Sequence, residues 1–242
     1  MKTYIKIKLF LVALFLSLGV LASGGELHLE EAHTDISDTA SLQNGAKLFM
    51  NYCSGCHAIS FMRYNRIAKD LNLSDSDVAE NLMFAGEKVG EQITTAMPED
   101  AASKWFGGVP PDLSLVARSK GTDWIYSYLR GFYEDESKLF GVNNSVLPNA
   151  SMPDVLWSLK ESQSETEFDQ GVRDITNFLD YVGEPAKLIR TELGAWVLSF
   201  LALLFVLSYF LKKEYWKDVK YPPLYLSSVL SWLVDRVKTF KF

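Results

Sequence analysis

Cysteine is nearly missing from this chain: of 242 residues, only Cys53 and Cys56 carry a thiol, and only three residues are histidine. No disulfide framework can exist beyond a single bond, and a structural zinc site would lack its second ligand pair. Sustained polar–apolar alternation is missing as well. Neither a sheet-based domain nor the βαβ surroundings of a thioredoxin-like redox pair is therefore expected. No internal repeat and no low-complexity tract occurs. Basic charge is scarce in the middle of the chain. Residues 25–192 hold 14 Lys+Arg against 27 Asp+Glu, a net of −13, while the whole chain is −6 because both ends are basic. Such a surface does not suit nucleic acid. It suits the attraction of a basic diffusing partner, or it serves solubility alone.

Long apolar runs occur only at the two ends. Near the N-terminus, Lys2, Lys6 and Lys8 precede "LFLVALFLSLGVLA" (Leu9–Ala22), and Ser23, Gly24 and Gly25 follow. A basic start, a short apolar core and small residues behind it predict a secretory signal peptide over residues 1–24, cleaved after Ala22 or Gly24. The competing reading is an uncleaved anchor. The second run, Leu193–Leu211, is uncharged over 19 residues, enough to cross a bilayer core of about 30 Å. Lys212, Lys213, Lys217 and Lys220 follow it at once, which places residues 212–242 in the cytoplasm and residues 25–192 outside. Trp196, Tyr209, Tyr215 and Trp216 stand where interfacial anchors would. The tail Leu224–Phe242, apolar early and basic late, reads as an interfacial helix.

Between the two runs the pattern is helical. Residues 25–43 are polar and extended, with His28 and His33 as surface residues of a tail. Ala46, Phe49, Met50 and Cys53 recur at helical spacing, so a helix ends near the cysteines. "SDSDVAENLMFAG" has N-cap candidates and predicts a second helix. Residues 86–112 are rich in Gly and Pro and read as a long loop. Gly121–Phe132 places Trp124, Ile125, Tyr128 and Leu129 on one face. Residues 141–154 form an Asn- and Pro-rich loop. Glu165–Pro185 carries Phe168, Val172, Ile175, Phe178, Leu179 and Val182 at helical spacing.

The two cysteines stand in "NYCSGCHAIS", three residues apart, with His57 directly after the second. Cys-x-x-Cys-His is the attachment motif of c-type haem. Cys53 and Cys56 form thioethers to the ring, and His57 then meets the iron as the proximal ligand. Haem attachment of this kind takes place outside the cytoplasm, in keeping with an export signal. The competing reading is a plain disulfide. The sixth ligand decides the function, because an open site binds gas or peroxide whereas a methionine closes the site and suits electron transfer. His28 and His33 lie in the tail. Met50 and Met62 are too close to the motif to reach the other haem face, and Met83 fits a core pattern. Met97 ("TTAMPED") and Met152 ("NASMPDVLW") remain, each in a loop before a proline. Spacing favours Met152, since the far face of a haem is served from late in the domain.

These stretches together resemble the cytochrome c1 family, the haem c subunits of ubiquinol–cytochrome c reductase, from about Glu26 to Lys220. "ELHLE" is similar to the start of the mature family sequence. "GAKLFMNYCSGCH" resembles the first helix and haem motif, with Tyr64 of "FMRYNRIAKDL" following at the family spacing. "GVPPDLSLVARSKGTDWIYSYLRGF" is the most specific match. "NASMPDVLW" resembles the axial-methionine loop, and "DITNFLDYVGEP", the anchor and "LKKEYW" complete the order. The loop between Gly86 and Trp105 is short beside some relatives, the tail after Tyr221 runs beyond the pattern, and no cysteine remains for the extra disulfide of some members.

The resemblance implies an all-α, cytochrome c-like haem domain over residues 25–192 with long loops, plus one transmembrane helix. It implies one covalent haem c on Cys53, Cys56 and His57, with Met152 as the sixth ligand. Arg118 is implied as the partner of a haem propionate, Pro110 and Pro111 as the haem-flanking turn, and Trp124 as haem packing. Ordinary surface, turn and core roles are the alternatives for these four. The implied role is an electron relay from the Rieske iron–sulfur protein to soluble cytochrome c, beside cytochrome b, in a dimeric complex of a bacterial inner membrane. Two rivals stay open: a free-standing anchored cytochrome c feeding a terminal oxidase, and a haem-based sensor or peroxidase.

Overall fold

The computed structural model describes residues 28–220, 230–232 and 234–235. The signal peptide expected over 1–24 and nearly all of the tail after Tyr221 lie outside the described residues. The chain divides into two units, one up to Glu184 and one from Pro185 onward.

The first unit is built on two long helices, α1 (Thr39–Tyr52) and α8 (Glu165–Gly183). Asp38 opens α1 by accepting from Ser41 N. Ser164 and Glu167 open α8 with a reciprocal capping box, which satisfies two backbone donors that a helix start otherwise leaves unpaired. The helices cross at Gly45. A Cβ there would lie 2.0 Å from the Asp174 carbonyl oxygen, so the approach requires glycine. Phe49 and Phe178 meet beside the crossing at 5.7 Å between centroids. Each such buried ring contributes about 1.5–3 kcal/mol. Asp174 is buried at the same place, and its carboxylate accepts from Ser41 Oγ (2.7 Å), Asn44 Nδ2 (2.6 Å) and Gln170 Nε2 (2.8 Å). A buried carboxylate needs this degree of satisfaction to be tolerated.

Six shorter helices surround the pair: α2 (Tyr64–Asp70), α3 (Asp75–Asn81), α4 (Glu99–Phe106), α5 (Val116–Lys120), α6 (Thr122–Arg130) and α7 (Trp157–Ser162). Among the described residues, strand is confined to two antiparallel ribbons. β1 (Ile59–Arg63) pairs with β2 (Gln92–Ile93), and β3 (Phe132–Glu134) pairs with β4 (Val142–Asn144). The unit is thus mainly helical, as expected. The expected loop over 86–112 is only partly a loop, because β2 and α4 lie inside it. Pro98 starts α4, Glu99 and Asp100 complement its N-terminal dipole, and Gly107 ends it at φ +73°.

The segment before α1 is extended, but it is no free tail. Glu30 N donates to Ser127 Oγ (2.8 Å) and Ala32 N to Asp123 Oδ1 (2.9 Å). Arg173 donates to Ala32 O (2.6 Å) and Asn177 to Asp35 O (2.8 Å). Ala32 and Ile36 are buried, while His28 and His33 face solvent as expected. The segment is a strap across α6 and α8.

The second unit is dominated by α9 (Lys187–Lys220). Glu192–Lys217 within it has a mean hydropathy of 2.2 and buries nothing inside the protein, so it is long and apolar enough to cross a membrane. Trp196, Tyr209, Tyr215 and Trp216 are all exposed along it.

Candidate functional site: an apolar cavity with nitrogen and sulfur donors

The motif sits where α1 ends. Cys53 is the C-cap of α1, and a tight turn follows in which Cys56 N and His57 N both donate to Cys53 O. Thr95 Oγ1 donates to Gly55 O at 2.8 Å and ties the turn to the segment after β2. Burial, and after it the nearness of Cys56, pushes the Cys53 thiol up to about 12; burial also raises Cys56. Neither sulfur has the thiolate character of a redox-exchange cysteine, which counts against a thioredoxin-like role.

His57 is set by a second segment. Leu113 N donates to Ala58 O, while Asp112 accepts from Ser60 N (3.0 Å), Ser60 Oγ and Ser114 N (2.7 Å). Burial works against the ionised Asp112 carboxyl, but these bonds outweigh it and hold the group below its ordinary range. The segment so docked brings Pro111 O to 2.7 Å from His57 Nδ1. Nδ1 therefore carries the proton and donates, and Nε2 keeps its lone pair for a metal. Burial lowers the imidazole pKa, partly offset by the Pro111 carbonyl and by Asp112. Burial thus favours the neutral imidazole, the form that binds a metal.

Met152 lines the same cavity and is delivered by the loop between β4 and α7. Two adjacent asparagines organise that loop. Asn144 Oδ1 accepts from Val146 N (2.9 Å) and Leu147 N (3.1 Å), while Asn144 Nδ2 donates to Tyr128 O at the end of α6 (2.8 Å). Asn143 Oδ1 accepts from Asn149 N (2.8 Å). Sequence alone marks these asparagines as loop formers. The reach of Asn144 across to α6 has no signal in the sequence.

Cys53, Cys56, His57 and Met152 line one cavity of about 620 Å³. That volume suits a cofactor. Pro110, Pro111 and Trp124 line it too, as do Ile125, Tyr128 and Leu129 of α6 and Ile175 and Leu179 of α8. Apolar walls with two thiols, one imidazole nitrogen and one thioether match the donor set of a covalent, two-ligand haem. Burial pushes the Tyr128 hydroxyl up to about 12, so it remains a donor. Met97, the other methionine candidate, is not on the lining.

Arg118 departs from expectation. It is not on the lining, and its guanidinium meets Glu184 at 2.6 Å in a largely exposed ion pair. The cation on the lining is Lys120, whose Nζ lies 5.5 Å from the Trp124 ring centroid. Both stand in α5, and two residues along a helix turn a side chain by roughly 200°. The two therefore face opposite ways.

The chain matches the Cytochrome C1 family over residues 30–219. It belongs to the cytochrome c1 family. It is 49% identical over 227 residues to cytochrome c1 of Allochromatium vinosum, covering 83% of this chain and 93% of that one. It is 42% identical over 231 residues to a Nitrosomonas europaea protein named ammonia monooxygenase gamma subunit, covering 88% and 98%. A cytochrome b/c1 of Bradyrhizobium diazoefficiens is 24% identical over 231 residues, which is 75% of this chain but 34% of that longer one. Cytochrome c1 family members are electron-transport proteins that bind one covalent haem c, and the cavity of this chain fits that group.

Proposed function

We propose that this cytochrome c1 family member is the membrane-anchored electron-transfer subunit of a ubiquinol–cytochrome c reductase, taking electrons from the Rieske iron–sulfur protein and passing them to a soluble cytochrome c. The observation that carries the reading is the placing of His57 and Met152 on one apolar cavity beside both thiols. Cys53 and Cys56 would hold the haem covalently, and His57 Nε2 and Met152 Sδ would supply a nitrogen and a sulfur ligand to its iron. Bound there, the haem supplies one-electron chemistry. The protein's residues do the rest. Pro111 fixes the imidazole tautomer, and Pro110 and Trp124 pack the ring. Lys120 offers a cation to an acidic group at the rim, a role that Arg118 can take only by leaving Glu184. With His57 and Met152 both serving as ligands, the iron would offer an exogenous ligand no open position. This disfavours the sensor or peroxidase reading.

α9 anchors the domain in a bacterial inner membrane, with the haem domain on the periplasmic side and the C-terminus in the cytoplasm. Cytochrome b is the neighbouring subunit, in a dimeric complex; the similarity to a chain named cytochrome b/c1 supports this. The acidic surface steers a basic cytochrome c and weakens in salt. Part of that acidity has structural work. Glu99 and Asp100 start α4, Glu167 caps α8, Asp169 lies 2.8 Å from Arg130 Nε, and Asp135 binds Ser137 within its own turn. Glu134, Glu136 and Glu161 are exposed and better suited to docking.

Gentle detergent extraction followed by a reduced-minus-oxidised spectrum tests the proposal. Haem b co-purifying with haem c, reduced by quinol, is the expected result. Haem c alone, from an extract in which other membrane complexes survive, would favour the free-standing carrier. Rapid carbon monoxide binding to the reduced protein would favour the sensor.

A further inference from the structure

The Met152 wall contains a polar contact that the electron-transfer reading does not require. Tyr128 Oη lies 3.5 Å from Met152 Sδ, within reach of a hydrogen bond to sulfur. Among the described residues the hydroxyl has no other partner, and Tyr128 is only 9% exposed, a setting in which a phenol normally finds an acceptor. The ring cannot easily turn away. It stacks on Trp124 at 4.9 Å between centroids and 7° between planes, and Phe132 meets it edge-on at 5.3 Å. Its backbone carbonyl is held by Asn144, the residue whose other end organises the methionine loop. Donor and acceptor are thus placed by a single tie.

We propose that Tyr128 is a positioning residue for the Met152 thioether, and that its hydrogen bond to Sδ raises the reduction potential of the iron that the sulfur ligates. This rests on the reading of Met152 as axial ligand. A lone pair drawn toward a hydroxyl proton gives less density to iron. The oxidised state, which needs that density more, is then the less stabilised of the two. The contact also limits the rotamers open to a flexible side chain with three rotatable bonds, so the sulfur waits in place.

The test uses full-length, membrane-extracted holoprotein, with potentiometric titration and the methionine-to-iron charge-transfer band as readouts. Tyr128→Phe keeps the ring and removes the donor. The expected result is a retained band, full covalent haem and an oxidised-to-reduced ratio about threefold higher at fixed ambient potential, a drop of about 28 mV at 59 mV per tenfold for one electron. Tyr128→Leu also lacks the donor and reads the same quantity if the Phe variant fails to assemble; it should fall at least as far. A potential unchanged or raised in both variants overturns the proposal. Met152→Leu separates the two failures. If the band survives that change, the ligand assignment is wrong and the Tyr128 role falls with it. If the band is lost there but the Tyr128 variants titrate like wild type, only the Tyr128 role is refuted.

Discussion

The two walls of the cavity are made in opposite ways. The His57 wall is local: five consecutive residues supply both thiols and the imidazole, and one docked segment fixes the ring through Pro111. The lock on that segment is a carboxylate, Asp112, bound to Ser60 and Ser114. The Met152 wall is assembled from α6, β4 and a long loop, and its lock is a pair of neutral carboxamides, Asn143 and Asn144. One wall is specified by spacing along the chain, the other by hydrogen bonds across the fold. They should therefore fail differently.

The largest effect is expected on the local wall. Replacing both Cys53 and Cys56 with Ala should abolish covalent haem entirely, read as loss of haem staining on a denaturing gel. Next comes the far wall, where Met152→Leu should open the iron to carbon monoxide in the reduced state. Met97→Leu should leave carbon monoxide binding as in wild type, and the reverse pattern would exchange the two assignments. Asn144→Ala removes two buried hydrogen bonds and one part-buried one and leaves their partners unsatisfied, a loss of about 2–4 kcal/mol. For a domain of this size that lowers Tm by roughly 5–15 °C, measurable by calorimetry.

A smaller effect separates the locks by pH. The folded-state pKa of Asp112 is depressed, so its contribution is full above the ordinary carboxylate range and is lost as pH falls through the folded value. Asp112→Asn should flatten part of the acid limb of stability, and Asn144→Ala should leave the shape of that limb intact. The smallest effect belongs to Arg118→Ala. Its exposed pair with Glu184 is worth less than about 1 kcal/mol. The midpoint potential should stay unchanged, whereas Lys120→Ala should shift it. A shift on Arg118→Ala instead would restore the propionate role first expected for that residue.

The same contrast explains what could be read in advance. α1, α6 and α8 bury a regular apolar stripe, so periodicity found them; the anchor announced itself by length alone. Cys53, Cys56 and His57 were legible because the chemistry demands adjacency. Elimination left Met97 and Met152, and the family resemblance added its weight to Met152. The missed features are short or tertiary. α4 has eight residues and β2 has two, lengths at which local pattern carries little information and packing decides. Arg118 was placed at the haem because a resemblance aligns residues but does not report which side of a five-residue helix each one faces. The strap before α1 was read as a tail because its bonds run to residues far away.

That strap bears on the order of events during biosynthesis. Its hydrogen bonds span 91 to 146 residues, and α1 crosses a helix that ends at Gly183. A chain made from its N-terminus cannot finish either contact until α8 exists. At about 5–20 residues per second, roughly 6–25 s separate the appearance of His57 from that of Gly183. Throughout that interval the Cys53–His57 segment lacks the helix against which α1 packs. A covalent modification of those thiols therefore has a natural window, and the completion of α8 closes it.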